Sequence, residues 1–391
     1  MIHLLLAVIY LSFISLGLPD ALLGSAWPSM YIAFGVPISY AGIISMIISA
    51  GTIISSLQSD RLTRRFGTGM VTAVSVAMTA LALFGFSITN SFPLLCLWAI
   101  PYGLGAGSVD ASLNNYVALH YASRHMSWLH CMWGLGASVG PYIMGYALTG
   151  GKGWHMGYRY IALLQIALTI ILFFSLPLWK KRTGTTSETA DEKKEKALTL
   201  KQIIAIPGAK AILITFFCYC AFEQTAGLWA GSYLVLFRGY TAEAAAEYAA
   251  LFYIGITVGR AFSGFLTLKF NDVQMIRLGA AIILLGIITL LLPFDGIAAP
   301  AGLVLIGLGC APVYPCIIHS TPVHFGADKS QAVIGVQMAF AYIGSSLTPP
   351  LFGLIANYIH IALLPVCLLL LLLLMTVMHE LLLRNTKKPA A

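Results

Sequence analysis

The run IALLPVCLLLLLLLMTV, from Ile361 to Val377, holds no charged residue. An α-helix rises 1.5 Å per residue, so about 20 such residues cross the hydrocarbon core of a bilayer. Irregular chain cannot make that crossing, because its backbone N–H and C=O groups would face lipid without partners. Comparable runs recur throughout the 391 residues, of which 59% are hydrophobic and 9% charged. A water-soluble domain carries roughly 25% charged residues, so the expected class is an all-α membrane protein. Many of the 37 glycines and 17 prolines fall inside the apolar runs. There they permit close helix contact and local breaks. The first run, Ile2 to about Tyr31, has no basic leader and no small-residue cleavage pattern. It is therefore expected to stay as a spanning helix.

The pattern predicts twelve helices, near 3–31, 39–57, 68–88, 92–119, 126–149, 156–179, 208–237, 244–267, 273–292, 297–323, 330–357 and 360–383. An even count puts both termini on one side. Loops on that side carry Arg61, Arg64, Arg65, Arg124, the basic cluster of 180–210, Lys269, Arg277, Lys329, Arg384, Lys387 and Lys388. The other side carries only Lys152, Arg159 and Arg238. This asymmetry predicts a multi-pass protein of the cell membrane with cytoplasmic termini. The net charge of +8 is thereby read as a topology signal, not as a nucleic-acid surface. The seven cysteines have no metal-ligand spacing and read as apolar fillers, so no metal site is expected.

The one long polar stretch, Lys180 to Pro207, with its mixed-charge run Asp191 to Lys196, divides the chain. The expected organisation is a six-helix bundle over 1–180, a solvated cytoplasmic linker over 181–207, and a second bundle with a short tail over 208–391. The halves echo one another. Gly103-Leu104-Gly105-Ala106-Gly107 aligns with Gly307-Leu308-Gly309-Cys310-Ala311, and Gly136, Pro141 and Gly145 with Gly344, Pro349 and Gly353. Two parallel repeats related by a pseudo-two-fold axis suit alternating access to a solute site near the bilayer midplane.

Asp20, Asp110, Glu223 and Arg260 fall inside predicted spans. An ion at the centre of a spanning helix costs roughly 2.5–3.5 kcal/mol, so each must face a cavity, pair internally or take up a proton. Burial favours the neutral form of a carboxyl, the property that a proton carrier needs. Pro19 and Gly24 loosen the first helix around Asp20, which makes Asp20 the preferred proton-coupling residue, with Asp110 beside it as a secondary site or gate. Solute hydrogen bonding and structural capping are the competing readings. Glu223 and Arg260 stand on neighbouring helices, where a mutual pair competes with a role toward solute. Asn114, Asn115, Gln224, Gln337 and His130 are candidate donors and acceptors for a hydroxylated solute. Trp27, Trp133, Trp229, Tyr233 and Tyr314 are candidates for stacking on it, set against ordinary packing or interfacial anchoring.

Ser56-Leu57-Gln58-Ser59-Asp60-Arg61-Leu62-Thr63-Arg64-Arg65 resembles the signature loop of the major facilitator superfamily, Gly-x-x-x-Asp-Arg-x-Gly-Arg-Arg, with Ser56 and Thr63 in place of its glycines. Its echo, Gly264 to Asp272, keeps Lys269 but has Leu268 at the acidic position. The resemblance implies a cytoplasmic gate formed by Asp60, Arg61, Arg64, Arg65 and Lys269. A narrower set is similar to the fucose:proton symporter branch. It comprises Asp20, Asp110, Asn114, His130 with Gly134, Gly136, Gly140 and Pro141, Tyr219, Glu223, Gly227, Trp229, Tyr233, Gly259-Arg260, and Gly307, Gly309, Pro312, Tyr314 and Pro315. This resemblance implies proton-coupled uptake of a monosaccharide, with protons, a small polar solute and lipid as the partners of a monomer. Export of amphipathic drugs and a nontransporting binding or assembly role are the alternatives. No phosphate-binding Gly-x-x-x-x-Gly-Lys-Ser/Thr loop and no His-Glu-x-x-His run occurs, so neither an enzyme nor a cofactor is expected. Epitope tags at the two ends should be reached by impermeant reagents from the same membrane face, and labelling from opposite faces would overturn the topology.

Overall fold

The computed structural model describes residues 2–20, 22–37, 40–183, 198–240, 242–294 and 296–386. Its helices are α1 (Ile2–Gly17), α2 (Leu22–Phe34), α3 (Ala41–Phe66), α4 (Thr68–Ile88), α5 (Phe92–His120), α6 (Ser123–Thr149), α7 (Gly153–Thr183) and α8 (Leu200–Ala205). They continue as α9 (Ala209–Leu236), α10 (Ala242–Leu266), α11 (Asp272–Leu291), α12 (Ala298–Phe325), α13 (Ala327–Ile355) and α14 (Leu364–Thr386). Ten segments of the described residues are long and apolar enough to cross a bilayer, and the last, Ala327–Thr386, contains both α13 and α14. With the 27-residue α6, whose glycines and polar groups lower its hydropathy, they make the twelve spans of an all-α membrane protein.

Two local expectations are corrected. The first span is not one helix over 3–31, because α1 stops at Gly17 and α2 starts at Leu22. Pro19 has no N–H to give the Ser15 carbonyl, so the ladder cannot continue. Gln165 of α7 supplies the missing donor, its Nε2 lying 2.5 Å from the Ser15 carbonyl while Ser15 Oγ donates to its Oε1 at 2.6 Å. The stretch from Ser56 to Arg65 is not a loop, since α3 runs through it to Phe66 and only Gly67, at φ +79°, separates α3 from α4. Within 181–207, both ends of the proposed linker carry helix. Thr183 still belongs to α7, and α8 starts from a reciprocal cap between Thr199 and Gln202. Residues 184–197, with the Asp191–Lys196 run, and the tail bases Lys387 and Lys388 lie outside the described residues.

The chain forms two compact units, Met1–Tyr116 with Leu129–Leu198, and Val117–Trp128 with Thr199–Ala391. In the first unit, α5 packs through Gly103 against the Ile48 carbonyl of α3, where an added Cβ would lie 2.3 Å away, and through Gly105 against the Ser75 carbonyl of α4 at 2.6 Å. In the second unit, Gly307 of α12 meets the Phe252 carbonyl of α10 at 2.2 Å, and Gly309 meets the Gly279 carbonyl of α11 at 2.7 Å. Each glycine and each carbonyl is matched 204 positions later, so the repeat legible in the sequence is a repeat of contacts. Small residues of this kind let backbones approach where apolar burial alone gives lipid-immersed helices no drive to associate.

The tightest crossing joins α1 to α6. A Cβ on Gly136 would sit 2.0 Å from the Ile14 carbonyl, and one on Gly140 2.0 Å from the Leu18 carbonyl. In the second repeat Gly344 of α13 faces the Phe217 carbonyl of α9 at 2.7 Å. Gly145 of α6 faces open space instead. Replacing Gly136 by alanine should lower stability by about 1–3 kcal/mol, as overpacking does. Gly145→Ala should be neutral or stabilising by up to roughly 1 kcal/mol, through helix propensity. Melting temperatures of the two variants in detergent should therefore move in different directions.

Candidate functional site

The break between α1 and α2 exposes Asp20, whose backbone N–H turns back to the Gly17 carbonyl at 3.1 Å. Its carboxylate takes two neutral donors. Trp133 of α6 gives Nε1–H to Oδ2 at 2.8 Å, and Tyr102 of α5 gives its hydroxyl to Oδ1 at 3.3 Å. The indole is set there by the crossing itself, since Gly17 lies against the Trp133 backbone, with its carbonyl 2.1 Å from where a Cβ would be. Pro19, Gly17, Gly136 and Gly140 thus bring a carboxyl and its donors together through backbone constraints. Tyr102 did not stand out in the sequence. Its sole signal there is its place at the head of the glycine-rich stripe, in Pro101-Tyr102-Gly103.

One turn-and-helix further in, Asp110, Asn114 and His130 form a buried chain. Asn114 Nδ2 donates to the Asp110 carboxylate at 2.7 Å and to the Asp110 carbonyl at 3.0 Å. Both partners are acceptors, so the amide orientation is fixed and Oδ1 points at His130. His130 Nε2, 3.0 Å away, must then carry the hydrogen. The ring is held edge-on against Phe13, centroids 5.4 Å apart. Asn115 is buried on the same helix.

In the second unit, the Tyr219 hydroxyl touches the Glu223 carboxylate and also reaches the Cys310 carbonyl at 2.9 Å. Arg260 Nη2 lies 3.6 Å from Glu223 Oε2, so the two in-span charges form a pair. Tyr314 stands beside them, tilted on Phe216 at 4.7 Å and edge-on to Tyr219 at 6.0 Å. The remaining candidates are dispersed. Gln224 is exposed. Trp229 gives its N–H to the Pro349 carbonyl at 2.9 Å, Tyr233 is 1% exposed against Phe237, and Gln337 is 0% exposed and accepts from Thr321 at 3.0 Å. Gln337 and Tyr233 are both buried.

Among the charged positions near the end of α3, Asp60 is buried and pairs with Arg64 at 2.9 Å, one turn on. Arg61 reaches Gln58 at 3.3 Å, Arg65 lies over the Phe66 ring at 5.1 Å, and Lys269 is exposed. Within the second unit His319 joins Asp272 at 2.6 Å and the Tyr121 carbonyl at 3.1 Å, and Ser123 donates to the same Asp272 at 2.5 Å. That cluster pins the start of α6 to α11 and α12, which sequence spacing does not reveal.

The chain belongs to the Major Facilitator Superfamily, whose sequence model matches residues 9–349. It is a multi-pass membrane protein of the transporter type. It is 24% identical over 285 residues to Bypass of stop codon protein 6 of Saccharomyces cerevisiae, covering 66% of this chain and 56% of that protein. The chain therefore spans little more than half the length of that relative. It is 21% identical over 325 residues to the glucose/mannose transporter GlcP of Bacillus subtilis, covering 78% of this chain and 77% of that one. The structure superposes on the E. coli fucose:proton symporter FucP with a TM-score of 0.77 at 15% identity, over 98% of this chain and 99% of that chain. That likeness establishes the twelve-helix fold.

Gln165→Leu leaves the Ser15 carbonyl without its replacement donor and should cost about 1–3 kcal/mol of stability, the penalty for a buried unsatisfied group. Gln224→Ala, at an exposed side chain, should leave the melting temperature unchanged. Equal melting temperatures for the two variants would refute the role given to Gln165.

Proposed function

We propose that the protein is a proton-coupled secondary transporter that takes up a monosaccharide by alternating access. It lies in the cell membrane with both termini in the cytoplasm. The observation that carries the reading is Asp20, an exposed carboxyl at a break in a spanning helix, held by the neutral donors Trp133 and Tyr102. Ionised, it accepts from Trp133 and Tyr102 at once. Protonated on Oδ1, it donates to the Tyr102 hydroxyl, so that hydrogen bond reverses while Oδ2 goes on accepting from Trp133. Loading and unloading a proton therefore changes the hydrogen bond that joins α5 to the break. A pumping cycle needs such a two-state element, one whose balance a bound proton shifts.

Asp110, tied to Asn114 and His130, serves in this reading as a second protonation or gating site. The exposed Gln224 and the group of Tyr219, Glu223, Arg260 and Tyr314 supply amide, hydroxyl, carboxyl, guanidinium and aromatic groups of the kinds that bind a polyol ring. The glucose and mannose carried by a relative, and the fucose carried by a structural neighbour, support a sugar as the solute. Asp60 with Arg61, Arg64, Arg65 and Lys269 forms the cytoplasmic gate.

The test is made with purified protein in vesicles, with proton and sugar fluxes measured together over a panel of hexoses, deoxyhexoses and cationic drugs. Narrow, saturable sugar uptake that acidifies the lumen is expected, and flux of drugs alone would overturn the reading. Asp20→Asn should abolish accumulation driven by a pH gradient while sparing sugar exchange at equal concentrations. Unchanged coupling in Asp20→Asn would remove its assignment as carrier, and selective loss in Asp110→Asn would transfer the role there.

A further inference from the structure

The cluster of His319 and Asp272 stands apart from the in-span charges, at the point where α5 gives way to α6. Tyr121 follows the last residue of α5, Ser123 is the first residue of α6 and Asp272 the first of α11, while His319 lies in the last two turns of α12. By the order of the spans, this is the membrane face that carries both chain ends. The hydrogen bonds of His319 fix its protons. The Tyr121 carbonyl can only accept, so Nε2, 3.1 Å away, carries a hydrogen. Nδ1 lies 2.6 Å from Asp272 Oδ2, and two lone pairs do not approach so closely, so a second hydrogen stands between them. A neutral imidazole has one N–H. The pair therefore holds one proton more than a neutral ring beside an ionised carboxyl.

The helix ends decide where that proton sits. Asp272 is in the first turn of α11, where negative charge is favoured, and the ring bonds to a carbonyl at the end of α5, where positive charge is favoured. The loaded pair is thus an imidazolium and a carboxylate, and Ser123 donates to the same carboxylate at 2.5 Å. When the proton passes to water, one N–H is left for two acceptors. The charged carboxylate keeps it, and the Tyr121 carbonyl loses its donor. The other titratable groups near the pair are Cys316 and His324 on α12, which interact with Asp272. His120 closes α5, Arg124 donates to His125 at 3.3 Å, and His125 stands edge-on to Tyr121 at 5.6 Å. Arg277 of α11 is held by Glu380 at 2.7 and 2.8 Å, and Lys269 is exposed. A second attachment does not titrate. Trp128 gives its N–H to the Ala261 carbonyl of α10 at 3.4 Å and lies edge-on to Phe265 at 5.5 Å, in a notch where a Cβ on Gly264 would be 2.1 Å from the indole nitrogen. The segment Val117–Trp128, which packs with the second unit, is therefore held by one fixed dock and one that depends on a proton.

We infer that His319 and Asp272 form a proton-binding site that clasps the connection between α5 and α6 when loaded and releases it at Tyr121 when empty. The site goes beyond the transport reading, because it needs no solute, and the topology proposed above makes the face it reads the cytoplasmic one. The two helices joined by this connection carry Tyr102 and Trp133, the donors to Asp20. The clasp sets how freely the ends of those helices move, and so makes them responsive to pH.

Two measurements on the full-length protein test it, in lipid vesicles equilibrated to the same pH on both sides and taken from acid to alkaline. Nitrogen NMR of protein with isotopically labelled histidine should show one ring, absent from His319→Gln, that passes from two N–H groups to one. Amide hydrogen exchange over 117–128, relative to the same amides in unstructured peptide at the same pH, should be about tenfold or more faster above that midpoint, because a charge-assisted bond is lost. His319→Gln should make the relative exchange the same at every pH. Asp272→Asn should hold it slow throughout, since an amide at 272 can itself donate to Nδ1 and leave Nε2–H for Tyr121. Ser123→Ala, His125→Gln and His324→Gln keep both titrating groups, and should keep the pH dependence and show that the fold tolerates change at this cluster. A pH dependence that survives His319→Gln overturns the inference, as does a parent protein in which His319 titrates with no change over 117–128. Absence of sugar flux in the parent protein overturns the transport reading alone, and both measurements still decide the clasp.

Discussion

A peptide carbonyl inside a bilayer must have a donor, and at Ser15 the helix cannot supply one. Pro19 takes away the N–H that would close the turn, and Gln165, 150 positions along, replaces it while accepting the Ser15 hydroxyl. Breaking a spanning helix without such a replacement would cost several kcal/mol per orphaned group. The break in turn frees Asp20 from the ladder and leaves its carboxyl open to the donors of α5 and α6. The polar centre of the first unit therefore depends on one amide on the seventh helix.

Glycine provides the second requirement. The backbones of α1 and α6 approach so closely at Gly17, Gly136 and Gly140 that no side chain fits between them. Trp133 consequently has a fixed starting point, and its indole reaches Asp20 at 2.8 Å. Apolar contacts add little directional information, which is why a bundle so rich in leucine is ordered by its smallest residues.

Much of this was legible in the sequence. The twelve spans follow from run length, the two repeats from paired glycines, and the special position of Asp20 from Pro19. The extent of the break was not, because helix propensity says nothing about whether a distant amide will accept the lost bond. Gln165 and Tyr102 were overlooked for the same reason: each acts across the fold, on a partner 150 or 82 positions away. The Asp110, Asn114 and His130 chain was half visible. Asp110 and Asn114 are one helical turn apart, while His130 joins them only once α5 and α6 have paired. Gln337 and Tyr233 are buried, Gln337 accepting from Thr321 and Tyr233 lying against Phe237, neighbours that their sequence positions alone do not identify as partners.

The contact repeat also locates an asymmetry between the halves. Position 260 of the second repeat corresponds to position 56 of the first, where Ser56 gives its hydroxyl to the Gly107 carbonyl at 3.2 Å. The counterpart of Gly107 is Ala311, whose methyl group lies where Gly259 makes room for it. A guanidinium thus stands in one half where a small hydroxyl stands in the other. A chain assembled from two copies of the first half would keep the glycine crossings, yet would have no cation at this position in either copy. One backbone crossing therefore serves two electrostatically distinct settings.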